Sequence, residues 1–306
     1  MAGTDLPGPG RAAAQENDST DGLARLEAGL DALDARPQTV RTPFRTVLLR
    51  KVLPPLVSVA LVLLLWQLAV ALHLKETYQL PPPLDVWDAL AKEWRRGTIL
   101  DVVWQSVSRG GVGFAVSLAI GTPLGLLVSQ TPWLRTAIGP ILSGLQSLPS
   151  VAWVPAAIIW FGLGNTTIYA VVLLGAVPSI ANGLIAGIDR TPPLYLRAGQ
   201  VIGAHGLSRI RHVLLPAALP GYVAGLKQGW AFSWRSLMAA ELIASSPDLG
   251  VGLGQLLETG RAYQDMPLVL GVIVLILGVG IGVELLVFSP VERHVLRGRG
   301  LLERSR

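Results

Sequence analysis

The sequence predicts an all-α integral membrane protein with about six transmembrane helices and with both termini in the cytosol. Composition is the first observation behind this prediction, since 51% of the 306 residues are hydrophobic and only 15% are charged. Soluble domains carry roughly 25% charged residues, and the mean hydropathy here is +0.52. The other two observations are long uncharged runs and an uneven distribution of basic residues.

Six apolar runs are long enough to cross a bilayer, which takes about 20 residues in a helix. Prolines interrupt the third run and three charged residues weaken the fifth, but both are tolerated where neighbouring helices satisfy the exposed polar groups. The predicted spans are 53–73, 106–129, 137–161, 166–187, 217–244 and 267–289.

The basic residues fix the orientation, because cytosolic segments of membrane proteins carry the excess of Lys and Arg. With a cytosolic N-terminus, seventeen basic residues fall on the cytosolic side and five on the opposite side. The transmembrane domain is therefore predicted at 46–295, with a disordered cytosolic tail at 1–45 and a basic C-terminal tail at 296–306.

Two shorter features complete this organisation. Between the first two spans, the stretch LPPPLDVWDAL predicts a short amphipathic helix bearing Trp87 and Trp94 on the outer side. Small residues let membrane helices approach closely, so close helix packing is predicted at two glycine groups. These are Gly121 with Gly125, and Gly278 with Gly280 and Gly282.

A polar, basic segment at 189–216 separates the fourth span from the fifth. Thr191 is predicted to cap a helix that reaches about Ile202, and Gly203 to end it in the left-handed conformation. Ser208 is predicted to cap a second short helix, which runs to Leu214. The segment is thus expected to be a helical element that a cytosolic protein grips.

The same segment resembles the cytoplasmic loop of ABC-importer permeases, whose pattern is E-A-A, three residues, G, nine residues, I, one residue, L-P. The family's spacing is kept throughout, although the usual Glu is replaced by Arg197 and the second Ala by Gly199. The matching positions are Arg197, Ala198, Gly199, Gly203, Val213, Leu215 and Pro216, and Ala204 and Gly206 belong to the turn. Other stretches, including LPSVAWVPAAIIWFGLG and MAAELIASSPDLGVGL, are similar to the branch that imports sulfonates, taurine and nitrate.

This resemblance implies a type I ABC-importer permease fold in a bacterial cytoplasmic membrane. It implies three protein partners besides the lipid bilayer: an ATPase subunit that binds ATP-Mg, an extracytoplasmic solute-binding protein and a second, identical permease copy. The sequence itself has no G-x-x-x-x-G-K-[S/T] loop for ATP, so any nucleotide site lies on another chain. No nucleic-acid partner is expected.

Three ionisable residues in the fifth span are candidates for contact with solute: Lys227, Arg235 and Glu241. Lys227 and Arg235 are 8 residues apart, which separates them by about 80° around a helix. A cationic face would suit a sulfonate or nitrate. The alternatives are that Lys227 reaches the cytosolic interface and that Arg235 and Glu241 form ion pairs with other helices.

Two other function classes remain as alternatives at this stage. A self-sufficient secondary transporter or channel would need its own coupling site and often shows repeated halves, which the sequence does not show. A membrane-embedded enzyme would need a catalytic set, and the chain has no Cys, no paired metal-binding His motif and no Ser-centred elbow. No catalytic residue and no metal site are therefore predicted.

Overall fold

The computed structural model describes residues 53–244 and 250–299, and every regular element within these ranges is helical. The chain divides into two compact units, Met1–Leu64 and Leu65–Arg306. The predicted tail at 1–45 and the end of the predicted C-terminal tail, from 300, lie outside the described residues.

Twelve α-helices are labelled here in chain order within the described residues. They are α1 (Leu53–Ala71), α2 (Pro83–Arg95), α3 (Thr98–Gln130), α4 (Pro132–Ser147), α5 (Val154–Phe161), α6 (Asn165–Asp189), α7 (Pro193–Val201), α8 (Gly206–Arg209), α9 (Leu215–Ile243), α10 (Leu253–Ala262), α11 (Met266–Val283) and α12 (Ser289–Arg297). A 3₁₀ segment at Ser150–Trp153 precedes α5, and π segments at Ile210–Leu214 and Glu284–Phe288 precede α9 and α12.

Four helical stretches have the length and composition to cross a membrane: α1, α3, α6 and the stretch Met266–Arg297. They coincide with the spans predicted at 53–73, 106–129, 166–187 and 267–289, although α3 begins eight residues earlier than expected, at Thr98. The predicted outer amphipathic helix is also present, as α2.

The third predicted span is broken near one of the prolines that interrupt it in the sequence. Helices α4 and α5, with the 3₁₀ segment, form a pair bent by 98°. Pro149 disfavours helical backbone at the preceding residue, and Leu148 accordingly adopts an extended ψ of 133°. The chain therefore turns sharply where the hydropathy profile suggested continuity.

Helix α6 is the centre of the Leu65–Arg306 unit and packs against α3 and α9. Glycine allows the close contacts: a Cβ on Gly125 would lie 2.7 Å from the carbonyl oxygen of Ala181, and one on Gly183 would collide with Gly225. The packing predicted at Gly121 and Gly125 is thus confirmed.

The packing predicted for the glycines of α11 is not found within the described part of the chain. A Cβ added at Gly278 or Gly282 would meet nothing within 4 Å, and one at Gly280 would only touch Trp234 at ordinary contact distance. Neighbouring glycines in α11 therefore differ from those in α3, which lie directly against the backbone of α6.

Candidate functional site

Helix α7 forms the first arm of the cytosolic element. It begins after Pro192, so the predicted cap at Thr191 is wrong, and the Thr191 hydroxyl instead donates to the Gly187 carbonyl (3.3 Å). At its other end Gly203 has φ +83°, and the backbone N–H groups of Gly203 and Ala204 donate to the Gln200 and Gly199 carbonyls. This is the Schellman arrangement that a left-handed C′ glycine permits.

The second arm runs without a break into the fifth span. Helix α8 begins at Gly206, not at a Ser208 cap, and continues through the π segment Ile210–Leu214 into α9. Leu215 and Pro216, predicted to close the loop, occupy the first positions of α9. A displacement of this arm is therefore transmitted directly to the 29-residue helix α9.

The two arms contact each other at Gly199 and Val213. Each of these residues is smaller than the residue that the family pattern has at its position, Ala and Ile respectively. Gly199 is buried, and a Cβ placed there would lie 2.8 Å from a methyl carbon of Val213. Ala204 is also buried in the turn, at 7% exposure. The glycine at 199 thus lets α7 approach the π segment more closely than alanine would.

The outward surface of this element is apolar and exposed. Arg197 and Ala198 lie on the exposed part of α7. Four large apolar side chains are 70% to 88% exposed: Leu194, Val201, Ile202 and Leu207. Contiguous exposed apolar surface of this kind marks a protein interaction site.

Glu241 lies in a fully buried cluster near the end of α9. Its carboxylate accepts hydrogen bonds from Arg109 (3.0 Å), from the hydroxyl of Ser106 (2.7 Å) and from the backbone N–H of Gly254 (3.0 Å). The Ser106 hydroxyl in turn accepts from the N–H of Leu253 (2.8 Å). Three segments, α3, α9 and the start of α10, are joined by this one carboxylate.

Arg109 and Ser106 are the residues of this cluster that sequence reasoning missed as a site. Arg109 is 3% exposed and Glu241 is 0% exposed, so their contact at 3.0 Å is a buried ion pair. The available signal was that an Arg inside an apolar span requires an acidic partner. Gly252 is part of the same cluster. A Cβ there would lie 2.5 Å from the Glu241 carboxylate oxygens, so glycine leaves room for the carboxylate.

Lys227 and Arg235 lie elsewhere, in a cavity of about 400 Å³ between α9 and α11. Lys227 forms an ion pair with Glu284 at 2.8 Å and lies 3.9 Å from Glu292. Arg235 donates to the Ala231 carbonyl and sits 4.5 Å from the centre of the Phe232 ring. Within the described residues no carboxylate pairs with Arg235, so this cavity carries its uncompensated charge.

The exposed side of α9 is unlike that of the other long helices. Between Ala224 and Arg235 its exposed positions recur at helical spacing and are small or polar: Ala224, Gln228, Ala231 and Arg235. Exposed positions on α11 are large and apolar, for example Ile273, Val274 and Leu277, and α3 is similar. Within the described residues, α9 is therefore the long helix whose exposed side is suited to water and not to lipid.

These features define a class: a helical membrane protein that bears a stiffly attached helical element with exposed apolar residues, and a long helix with a polar exposed face. Residues 118–289 match the family of binding-protein-dependent transport system inner membrane components. The chain belongs to this family, and it is a multi-pass transport permease and not an enzyme.

The curated relatives agree on the class and differ in solute. The taurine transport system permease protein TauC of Escherichia coli is 30% identical over 69% of this chain and 78% of its own length. The nitrate import permease protein NrtB of Synechocystis is 27% identical over 76% and 83%. The riboflavin transport system permease protein RibX of Chloroflexus aurantiacus is 30% identical over 70% and 78%.

Solved structures are similar in fold. An inward-facing structure of the MetNI methionine ABC transporter matches with a TM-score of 0.56 and 22% identity, covering 66% of this chain and 98% of the other. A second crystal form matches with a TM-score of 0.55 and 21% identity, covering 64% and 95%. The prediction of an ABC-importer permease fold is confirmed.

Proposed function

We propose that the chain is the permease subunit of an ABC importer for a small anionic solute such as an aliphatic sulfonate, taurine or nitrate. The observation that carries this proposal is the exposed face of α9, where Arg235 stands without a carboxylate partner among the described residues. A charge in this position is expensive in lipid and is retained where it meets water or an ion. The relatives named for taurine and nitrate support an anionic or zwitterionic solute.

Arg235 is the proposed contact for the solute, and the cavity around it supports that assignment. Trp230 and Trp234 line the same cavity, and neither indole N–H has a hydrogen-bond partner in the described part of the chain. Lys227 is already paired with Glu284, so its contribution is weaker. Solute contact by Glu241 stays a prediction, and its complete burial favours a structural role.

ATP-Mg is proposed to bind a separate ATPase subunit, which receives the element 189–216. The exposed apolar residues Leu194, Val201 and Leu207 supply surface for that contact. When two ATPases close over ATP, they move two such elements, and the continuous α8–α9 helix converts that movement into a tilt of the span. This is alternating access by rigid-body movement, and it is driven by the different affinities of ATP for the two conformations of the transporter.

The remaining parts of the proposal concern assembly. A second, identical permease copy is expected to complete the pathway, and an extracytoplasmic binding protein to deliver the solute. The location is a bacterial cytoplasmic membrane. The relatives include a riboflavin permease as well, so the choice of an anion rests first on the charge of Arg235, and the taurine and nitrate relatives are secondary support.

Affinity purification of the tagged chain from its native membrane in mild detergent tests the assembly. Mass spectrometry is expected to find an ATPase subunit with the wild-type chain and to lose it when residues 197–210 are deleted. Fluorescence size-exclusion chromatography checks that the deleted chain still folds. A chain that purifies alone and transports solute in liposomes without ATP would contradict the proposal.

The substitution Gly203→Val tests coupling through the loop. A β-branched residue at φ +83° is strained by about 1–2 kcal/mol, so the turn should distort and ATP-driven uptake should fall while membrane insertion is retained. Gly144→Val is the matched control, because Gly144 is helical and a Cβ there meets nothing within 4 Å. Normal uptake by Gly203→Val would exclude the coupling role.

A further inference from the structure

A second cavity, of about 950 Å³, lies under the cytosolic element. It is an open cleft bordered by the end of α6, by α7, by the π segment and by the first turns of α9. Its volume is at the upper end of the range for small-molecule sites. Tyr195, Ala198 and Gly199 form its α7 wall, whereas Leu194, Arg197 and Val201 do not line it.

The charges around this cavity are all of one sign. The charged side chains that line it are Arg190 and Arg299, His212 adds an imidazole, and no Asp or Glu lines it among the described residues. The nearest acidic neighbour in sequence, Asp189, is already bound by Arg135 at 2.8 Å. Arg299 donates to the Ala217 carbonyl, and the Arg190 guanidinium has no carboxylate partner in the described residues.

The cavity is also continuous with the polar face of α9. Pro220, Gly221 and Ala224 form its wall on that helix, and Ala224 is the first residue of the exposed stripe that reaches Arg235. Eleven residues separate Ala224 from Arg235, which corresponds to about 16 Å along a helix. An anion that leaves Arg235 along this face reaches the Arg190 cavity next.

We propose that the cavity lined by Arg190, His212 and Arg299 is a second binding site, which takes small organic anions such as sulfonates from the cytosolic side. Its apolar walls, including Pro216 and Ile202, accommodate the carbon skeleton, and the cationic groups bind the acidic head. That the natural ligand is the transported solute rests on the proposed function. The preference of the cavity for anions does not.

Charge-selective thiol labelling tests this site without any transport assay. The chain has no cysteine, so Ala198→Cys places one thiol on the cavity wall, and Val201→Cys places one about 60° around α7, at a residue that does not line the cavity. Each protein, in phosphatidylcholine nanodiscs, reacts with a methanethiosulfonate that carries either a sulfonate or a trimethylammonium group. The ratio of the two rates cancels any change in the reactivity of the thiol itself.

The sulfonate reagent is expected to be favoured at position 198 by about tenfold over position 201, the lower end of what a cleft of one sign does to association rates. Replacing Arg190 and Arg299 together by Gln should remove that preference at 198 and leave 201 unchanged. Ethanesulfonate should protect position 198 alone. Equal ratios at the two positions, in a chain that still elutes as a folded species, would overturn the proposal.

A further experiment distinguishes a free anion from a lipid, because an anionic lipid headgroup has the same chemistry as a free anion. The labelling is repeated in nanodiscs that contain phosphatidylglycerol. Protection by ethanesulfonate in neutral lipid supports a small-anion site. Protection by phosphatidylglycerol without protection by ethanesulfonate would overturn it in favour of a lipid site. Both results are independent of whether the chain imports an anion.

Discussion

The buried and the exposed face of α9 each carry a charged residue, and the surroundings of these two residues are opposite. On the buried face, Glu241 is 0% exposed and is held by Arg109, by Ser106 and by the backbone of Gly254. On the exposed face, Arg235 donates to the Ala231 carbonyl of its own helix and lies over the Phe232 ring, and no carboxylate pairs with it within the described residues. Both residues lie in the same helix. The Glu241 carboxylate accepts several hydrogen bonds, whereas the Arg235 guanidinium has no carboxylate partner within the described residues.

We therefore expect Glu241 to act in the stability of the protein and Arg235 to act in transport. A buried charge with several short hydrogen bonds fixes the segments that surround it, and removing its partner is costly. An open charge contributes little to packing but remains available to a solute. The two residues should therefore fail in different assays when they are replaced.

The largest effect is expected from Glu241→Ala. It breaks the buried ion pair with Arg109 and removes the acceptor of the Ser106 and Gly254 hydrogen bonds, which should destabilise the protein by about 3–5 kcal/mol. Thermal unfolding in detergent measures the loss. Glu284→Gln is the matched control, since the Lys227–Glu284 pair is half-exposed and should contribute about 1 kcal/mol or less. Equal melting temperatures for the two variants would contradict the expected difference between a buried and a half-exposed ion pair.

A smaller loss is expected from Gly183→Ala, again on the buried face. The new methyl group would collide with Gly225 and force α6 away from α9, which should cost about 1–3 kcal/mol. Gly278→Ala is the control, because its methyl group would enter open space within the described structure. Unfolding curves of the two alanine variants should separate clearly, and coincident curves would contradict the close contact.

On the exposed face, Arg235→Ala should abolish solute-stimulated uptake and leave the melting temperature near that of the wild-type protein. The reason is that the side chain has no carboxylate partner in the described residues to lose. Arg235→Lys keeps the charge and should retain part of the uptake. A variant that melts early would instead show that Arg235 belongs with Glu241 as a structural residue.

The smallest effect is expected at an ion pair outside both faces, Glu258 with Arg261 on α10. The hydrogen bond from Arg261 lowers the pKa of Glu258 below its ordinary value. Its contribution to stability is therefore present above the unfolded-state pKa and is lost as the pH falls through the lower, folded-state value. Glu258→Gln should melt close to wild type at pH 7, and a large shift there would contradict the minor role of exposed pairs.

Local chemistry made part of this structure predictable. The left-handed turn at Gly203 follows from the properties of glycine at a helix end, and the apolar runs follow from composition. The 98° bend near Pro149 was not predictable in the same way, since proline marks a break but does not set its angle.

The candidate site was less predictable, because it depends on contacts between distant segments. Arg109 and Glu241 are 132 residues apart, and which charges pair is decided by how α3, α6 and α9 pack. The sequence placed Lys227, Arg235 and Glu241 in one span. It did not reveal that Glu241 points into the protein while Arg235 does not.

Cysteine accessibility in the reconstituted bilayer tests the central claim most directly, that the exposed face of α9 meets water and that of α11 meets lipid. Single cysteines at Gln228 and Ala231 are compared with cysteines at Val274 and Leu277, using a membrane-impermeant thiol reagent on a chain without native cysteine. The account predicts rapid labelling at 228 and 231 and slow labelling at 274 and 277. Slow labelling at all four positions, or the reverse pattern, would contradict it.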